Sequence, residues 1–165
     1  MVIPQIPAWV FPVEPSPGES LSHFLGRFCR ENHTTLNQLG EKTGLGAVLG
    51  RWEKFRFIPQ PSDAQLAALA KLVRLEVDQI KQMLPQETMQ NRVIRLCAAC
   101  YAEEPYHRIE WQYKLANRCD RHHLLLLLEC PNCKAKLPMP SKWANGTCKR
   151  CLTPFEQMAD LQKGI

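Results

Sequence analysis

The sequence lacks the segments that would carry the chain into or across a membrane. Its first ten residues contain no Lys or Arg and are interrupted by Pro4 and Pro7, so they do not have the basic and apolar regions of a signal peptide. The five consecutive leucines Leu124–Leu128 are far fewer than the roughly 20 apolar residues that span a bilayer. We therefore expect a cytoplasmic protein without a membrane partner, in a compartment that keeps cysteines reduced.

Several catalytic motifs are also missing. The glycine-rich stretch 44–50 does not have the Gly-Lys-Ser/Thr ending of a phosphate-binding loop. The sequence contains neither the H-E-x-x-H motif of metalloproteases nor the G-x-S-x-G nucleophile elbow. It also has no carboxylate cluster that would hold the two metal ions of a transposase. We therefore expect that the protein is not an enzyme.

The N-terminal segment 1–18 contains five prolines, which interrupt regular helix, and we predict an extended arm. Trp9 and Phe11 are large apolar side chains on this arm. Two interpretations stay open for them. They either pack on the body of the protein or bind a partner and become ordered on binding.

Helical periodicity follows the arm and predicts a mainly α domain over residues 19–90. Apolar residues from Leu21 to Cys29 recur on one helical face, with Ser20 as the N-cap. Cys29 lies on this face, and we interpret it as a small core residue. A shorter helix is predicted from position 34 or 35 to about Gly40.

A later helix pair in the same domain has the outline of a helix-turn-helix. Ser62 and Gln65 form a capping box that opens the first helix of the pair. The pattern breaks at 74–75 and then continues until Pro85 stops it. The break has no glycine and most helix pairs bind no DNA, so direct base reading is not the favoured interpretation.

Between these helices, aromatic and basic residues alternate in the segment Arg51–Phe57. This alternation suits base stacking and phosphate contact. The favoured interpretation is a half-buried strand or loop whose aromatic side chains fill the core. In the alternative, Arg51, Trp52, Lys54 and Arg56 contact a partner.

The second half carries the strongest signal, four pairs of metal-binding residues with the same spacing. The pairs are Cys97/Cys100, Cys119/His122, Cys130/Cys133 and Cys148/Cys151. In a reducing compartment such pairs indicate metal ions rather than disulfides. Two pairs complete a tetrahedral zinc site with no open position for water. The sequence therefore predicts two structural zinc ions in a small α+β tandem zinc-finger region over residues 91–165.

Each of these pairs forms a zinc knuckle, and the grouping of the four knuckles into two sites leaves alternatives. In the favoured sequential pairing, the first two pairs form one site and the last two form the other. Crossed pairing uses the same residues, and spacing alone does not exclude it. His123 could replace His122, although the spacing favours His122. Iron would suit the all-cysteine site, but no redox-cofactor motif accompanies it, so zinc is favoured.

The basic residues are unevenly distributed. Residues 1–90 hold nine basic and nine acidic side chains, whereas residues 91–151 hold eleven basic and five acidic ones. Zinc binding by seven thiolates would roughly halve this surplus of positive charge. The remaining basic surface is compatible with nucleic acid but does not require it.

Several motifs resemble the TniQ family of transposon targeting proteins. The motifs are Gly18-Glu-Ser-Leu-Ser-His-Phe-Leu-Gly-Arg27, Arg95-Leu-Cys-Ala-Ala-Cys-Tyr-Ala-Glu103, His107-Arg-Ile-Glu-Trp-Gln112, Cys119-Asp-Arg-His122 and Glu129-Cys-Pro-Asn-Cys133. They occur in matching order over nearly the whole chain. The short length is similar to that of the TniQ of type V-K CRISPR-associated transposons.

The resemblance implies a non-catalytic adaptor. In such systems TniQ works beside a transposase, an AAA+ ATPase (TnsC) that forms filaments on DNA, and a CRISPR effector without nuclease activity. The expected partners are therefore the TnsC filament and the effector with its guide and tracr RNA, with weak or indirect contact to target DNA. The family's zinc ligands map onto the eight positions named above. We expect Trp9 and Phe11 to contact the ATPase, and the segment Arg51–Phe57 or the basic zinc region to contact nucleic acid.

The alternative function is a stand-alone, sequence-specific DNA-binding regulator with a helix-turn-helix and zinc ribbons. Such a regulator would bind DNA tightly as the purified protein, with a steep dependence on salt concentration.

Overall fold

The computed structural model describes residues 10–165, and this part of the chain is mainly helical with one small sheet. Its α-helices are α1 (Leu21–Glu31), α2 (Leu36–Thr43), α3 (Ala47–Glu53), α4 (Asp63–Val73), α5 (Val77–Gln82) and α6 (Ala98–Glu103). Short 3₁₀ helices cover Ile109–Gln112, Pro140–Lys142 and Phe155–Leu161. The sheet pairs β1 (Arg118–Cys119) with β2 (Leu124–Leu125) in antiparallel orientation. No helix within residues 10–165 is both long and apolar enough to cross a bilayer.

Helix α1 lies at the centre of the first core, as its apolar face predicts. Ser20 caps it by accepting a hydrogen bond from the backbone N–H of His23 at 3.3 Å. Its apolar residues are at most 1% exposed; they are Leu21, Phe24, Leu25 and Phe28. Cys29 is half-buried and packs against the same core. The predicted cap and core role are therefore confirmed.

Two further predicted helices are present, with one difference in length. The capping box of Ser62 and Gln65 opens α4 as predicted. Helix α2 continues past the predicted end at Gly40 and stops at Gly44, which adopts a left-handed conformation with φ 76°. Glycine adopts this conformation without steric cost, so it is the stronger stop signal.

Helix α3 corrects the prediction of a strand or loop over Arg51–Phe57. The helix includes Gly50 and continues to Glu53, so the first part of that segment is helical. Trp52 is 1% exposed in the first core, and this burial favours the helix despite the low helix propensity of glycine. Phe55 then turns the chain with φ 59° and enters a second core.

A tight turn joins α4 and α5 without a glycine. Arg74 adopts a left-handed conformation with φ 59°, and the N–H of Leu75 donates to the carbonyl of Ala70 at 3.0 Å. The predicted break in the apolar pattern is confirmed at this position. Helix α5 then ends before Met83, whose side chain returns to the first core.

The described part of the predicted arm, residues 10–18, packs on the body of the protein. Val10 and Val13 are buried in the first core, at 4% and 8% exposure. Between them the Asn32 side chain holds the backbone of Phe11: it accepts from the Phe11 N–H at 2.6 Å and donates to the Phe11 carbonyl at 3.0 Å. The Phe11 side chain itself is 58% exposed. Trp9 lies outside the described residues.

The second core contains most of the cysteines and meets α1 along a seam. Its largest fully buried aromatic residues are Trp111 and Phe155. At the seam the N–H of Ser20 donates to the carbonyl of His107 at 3.0 Å, and the Ser20 hydroxyl lies 2.8 Å from Nδ1 of the His107 ring, within hydrogen-bond distance. Burial lowers the pKa of His107 to about 3, so this ring is neutral at pH 7.

Candidate metal centres

The first candidate centre joins Cys97, Cys100, Cys119 and His122, and one ligand atom from each lies within 4.8 Å of all the others. Cys97 precedes α6 and Cys100 lies in its first turn, whereas Cys119 ends β1. The sulfurs of Cys100 and Cys119 are 3.5 Å apart. His122 turns its Nδ1 atom toward the sulfurs, at 3.3 Å from that of Cys100.

The second candidate centre joins Cys130, Cys133, Cys148 and Cys151, again within 4.8 Å. The Sγ–Sγ distance is 3.7 Å from Cys130 to Cys151 and 3.5 Å from Cys133 to Cys148. The structure therefore has the sequential grouping of the four pairs, not the crossed one. Each foursome could hold one metal ion.

Three of the four ligand pairs share the same backbone turn. In each, the residue after the second ligand is left-handed; these residues are His123 (φ 53°), Lys134 (φ 64°) and Leu152 (φ 61°). The backbone N–H of this residue donates to the carbonyl of the first cysteine of its pair in all three turns. His123, for example, donates to the Cys119 carbonyl at 2.9 Å. Such a turn aims two ligand side chains at one point. His123 is thus a turn residue and points its neighbour His122 into the cluster.

The thiols of each cluster differ in acidity because their hydrogen bonds and their burial differ. A hydrogen bond from Cys100 lowers the pKa of Cys97 to about 5, and the same bond raises the pKa of Cys100. In the second cluster, burial raises the pKa of Cys130 to about 11, while the hydroxyl of Thr153 lowers that of Cys151 to about 6. Neighbouring thiolates repel one another, and binding of a divalent cation lets all of them ionise with release of protons.

The donor sets fit a soft or borderline divalent ion in tetrahedral coordination. One centre offers three sulfurs and an imidazole nitrogen, and the other offers four sulfurs. These are ligand sets of structural zinc sites, in which protein atoms fill every coordination position. A centre of this kind stabilises the fold and has no open place for a reacting water.

The side chains of the segment Arg51–Phe57 that were considered for a partner contact differ in burial and in hydrogen bonding. Trp52 is 1% exposed in the first core, as the favoured interpretation expects of the aromatic side chains, so this side chain is not accessible for the alternative contact with a partner. Arg51 donates to the carbonyl of Ile58 at 2.8 Å and supports the local turn. Lys54 and Arg56 are exposed and remain available for a contact.

Sequence reasoning missed two groups of polar residues. Glu103 on α6 accepts hydrogen bonds from the knuckle that carries His122. Its position three residues after Cys100 on one helical face was the available signal. The second group lies away from the centres in sequence, at the start of α1: Glu19, which precedes the helix, is buried and bonds the buried His23 at 2.6 Å and the partly exposed Arg27 at 2.6 Å. The spacing of four residues between these three polar side chains was the signal there.

A known protein family matches the part of the chain that contains the helices and the first candidate centre. The TniQ family matches residues 10–126, from the anchored segment beside Phe11 to just beyond the first candidate centre. A comparison with curated proteins found no match. The family match includes all six described α-helices and the ligands of the first centre. It covers well over half of the chain, and we conclude that this protein belongs to the TniQ family, whose members are associated with transposition.

Proposed function

We propose that the protein is a non-catalytic adaptor in RNA-guided DNA transposition. It links a filament of the AAA+ ATPase TnsC on target DNA to a CRISPR effector with its guide and tracr RNA. The family match over residues 10–126 is the observation that carries this proposal. The subtype with an RNA-guided effector is inferred from the resemblance of the sequence motifs.

Two structural zinc ions are part of the proposal. Both candidate centres are complete with protein ligands alone, which supports a stabilising role rather than catalysis. The ligands also join distant parts of the chain, because Cys97 and His122 lie 25 residues apart. Zinc therefore holds the second half in the shape that its partners recognise.

Phe11 is the contact residue for the ATPase that the structure supports best. Its side chain is 58% exposed, although its backbone is fixed on both sides by buried valines. The Asn32 side chain, only 5% exposed, adds two hydrogen bonds to the Phe11 backbone. An aromatic side chain held in place before binding loses little conformational entropy when it enters a pocket of a partner. Trp9, two residues earlier, is proposed to extend the same contact.

Contact with nucleic acid is proposed for a basic surface at the second centre, together with Lys54 and Arg56. Four exposed cations lie on or beside its two knuckles: Lys134, Lys136, Lys149 and Arg150. Arg150 also donates to the carbonyl of Cys133 at 3.2 Å, which ties the two knuckles together. Lys134 is within 4.0 Å of Glu129, so one of these charges is partly compensated. Such a surface suits a weak contact with a phosphate backbone.

The regulator alternative depends on α4 and α5 as a helix-turn-helix. The exposed residues at α5 are Glu76, Asp78, Lys81 and Gln82, with more acidic than basic charge. Lys81 also lies 3.8 Å from Asp63 of α4. A recognition helix normally presents donors and positive charge to DNA. The adaptor is therefore the better supported function.

The test measures binding of the purified protein to TnsC filaments assembled on DNA with nucleotide, beside binding to free duplex. We expect binding to the filament and little affinity for the duplex. Phe11→Ala should weaken filament binding about tenfold or more, as loss of a central aromatic contact does. Leu115→Ala is the matched control, because Leu115 is an apolar residue with 89% exposure in the metal-binding half.

Two results would contradict parts of this proposal. Tight sequence-specific binding to free duplex, with no effect of the protein on the ATPase, would favour the regulator. Equal filament binding by the Phe11→Ala and Leu115→Ala variants would remove Phe11 from the contact.

A further inference from the structure

Glu103 connects the two ligand pairs of the first centre through one carboxylate. It lies in the last turn of α6, the helix that carries Cys100. Its Oε1 atom lies 2.7 Å from Nε2 of His122, and its Oε2 atom accepts a hydrogen bond from Arg121 at 2.9 Å. Both partners belong to the second knuckle, between Cys119 and the end of that turn. One acidic side chain thus holds this knuckle against α6.

The orientation of His122 makes this contact relevant to the metal. Its Nδ1 atom lies 3.3 Å from the sulfur of Cys100, 3.6 Å from that of Cys119 and 3.9 Å from that of Cys97. Nδ1 is therefore the atom that would face a bound ion, and Nε2 points away from the three sulfurs. A neutral imidazole that binds through Nδ1 carries its proton on Nε2, and Glu103 is placed to accept that proton in a hydrogen bond.

We propose that Glu103 is a positioning residue for the first metal centre. By accepting the Nε2–H bond, it fixes the tautomer and the ring orientation that place Nδ1 among the three sulfurs. Through Arg121 it also keeps the second knuckle next to α6 before the ion enters. The proposal rests on the zinc ions of the proposed function, but it concerns metal affinity and does not depend on the adaptor role.

The location of Glu103 agrees with this role. A carboxylate in the last turn of a helix faces the negative end of the backbone dipoles, which is unfavourable by itself. Here the guanidinium of Arg121 and the imidazole of His122 offset that cost. The side chain of the neighbouring residue Glu104 points to a different partner: its carboxylate lies 3.9 Å from Arg108, and only its backbone N–H donates to the carbonyl of Cys100.

The second centre is supported by different groups. There the hydroxyl of Thr153 lies 3.1 Å from the sulfur of Cys151, and the Asn132 side chain donates to Thr153 at 3.1 Å. The backbone N–H of Arg150 reaches the sulfur of Cys148 at 3.4 Å. A change at Glu103 should therefore affect the first centre and leave the second as an internal control.

The experiment uses the full chain loaded with zinc and titrates it with a chromophoric chelator. Wild type should hold two zinc ions. Glu103→Ala should lower the zinc affinity of one site about 10- to 100-fold, the usual effect of losing a hydrogen-bond partner of a histidine ligand. Glu104→Ala is the matched control and should leave both sites unchanged. Glu103→Gln keeps an acceptor oxygen, so we expect it to restore part of the affinity.

Nitrogen NMR of His122 supplies a readout that a purely structural role would not move. In wild type we expect Nδ1 bound to zinc and a slowly exchanging proton on Nε2. Glu103→Ala should retain zinc on Nδ1 at saturating metal but exchange the Nε2 proton faster.

Three results would overturn the proposal. They are equal zinc affinity in Glu103→Ala and Glu104→Ala, zinc bound through Nε2 in wild type, and fewer than two zinc ions in the purified wild-type protein. None of these measurements involves the ATPase, so their failure is separate from failure of the adaptor function.

Discussion

Among the described residues, the two hydrophobic cores have the same number of buried residues, 17 each, but differ in what fills them. The first core is formed by side chains from α1 to α5 and their connections, with Trp52 and Phe24 among the largest. In the second core five of the buried residues are cysteines of the candidate centres. The second half contains one α-helix, α6, and strands of only two residues.

This difference shows how a short segment with little regular structure can have a defined core. Cysteine buries about as well as a small apolar residue, but a cluster of thiols repels itself once ionised. A bound metal ion converts that repulsion into the strongest local interaction. The helical half relies on apolar packing and helix caps, whereas the second half would rely on metal ions held by its two candidate centres.

Removal of the metal is the largest test of this contrast. Structural zinc contributes roughly 10–16 kcal/mol of apparent binding energy in small zinc-binding peptides at neutral pH, so a strong chelator should unfold the second half. Near-ultraviolet circular dichroism reports on Trp111 and Trp143, which are buried there, and this signal should be lost. The far-ultraviolet helical signal should mostly remain, because five of the six described helices lie in the first half.

Restored signal after zinc is added back is the control for this experiment. An unchanged near-ultraviolet spectrum after verified loss of zinc would contradict the contrast, because the second core would then be stable without its ions. Complete loss of the helical signal would show instead that the first half depends on the second.

The parts that the sequence predicted well are those set by local spacing. The two-residue spacing within each ligand pair belongs to a single turn, so Cys130 and Cys133 are placed together by their own knuckle. The capping box at Ser62 is local in the same way. These signals predicted both the ligand sets and the helix starts.

The parts that the sequence did not reveal depend on contacts between distant residues. Helix α3 forms because Trp52 is buried against other helices, and the neighbouring Phe55 enters the other core. The role of Glu103 depends on His122, 19 residues away. Alternating aromatic and basic residues alone could not distinguish a stacking surface from a buried helix end. The spacing of residues indicates the structure of one element, whereas the burial of its side chains depends on the elements that pack against it.

Removal of the buried carboxylate just before α1 should have a smaller effect on the stability of the protein. Glu19 is 0% exposed and bonds His23, Arg27 and the backbone N–H of Ser16, so Glu19→Ala leaves three polar groups without this partner. We expect a loss of about 3 kcal/mol in the free energy of unfolding, at the lower end for a buried pair because Arg27 is 32% exposed. Urea unfolding at pH 7, followed by the helical signal, measures this. The control Glu14→Ala removes an exposed carboxylate and should change stability by no more than about 0.5 kcal/mol.

The same carboxylate gives the helical half its own dependence on pH. Burial alone would raise the pKa of Glu19, but hydrogen bonds from His23 and Arg27 outweigh it and hold the pKa below its ordinary value of 4.5. Its contribution is therefore full above pH 4.5 and is lost as the pH falls through the lower folded value. The stability difference between wild type and Glu19→Ala should shrink in that range. A constant difference down to low pH would contradict this assignment.

The smallest effect tests how tightly the two halves meet. A methyl group on Gly26 of α1 would lie 2.6 Å from both Cα and the carbonyl carbon of Ser141, which belong to the backbone of the other half. Gly26→Ala should therefore destabilise the protein by about 1–3 kcal/mol, even though alanine favours a helix. Gly50→Ala is the matched control inside α3, where nothing lies within 4 Å of the added atom. There we expect stabilisation by about 0.5–1 kcal/mol, because alanine loses less backbone entropy than glycine. The midpoints of thermal unfolding of the two variants should shift in opposite directions. Shifts in the same direction would mean that α1 and the Ser141 segment separate easily and that the two halves act as independent units.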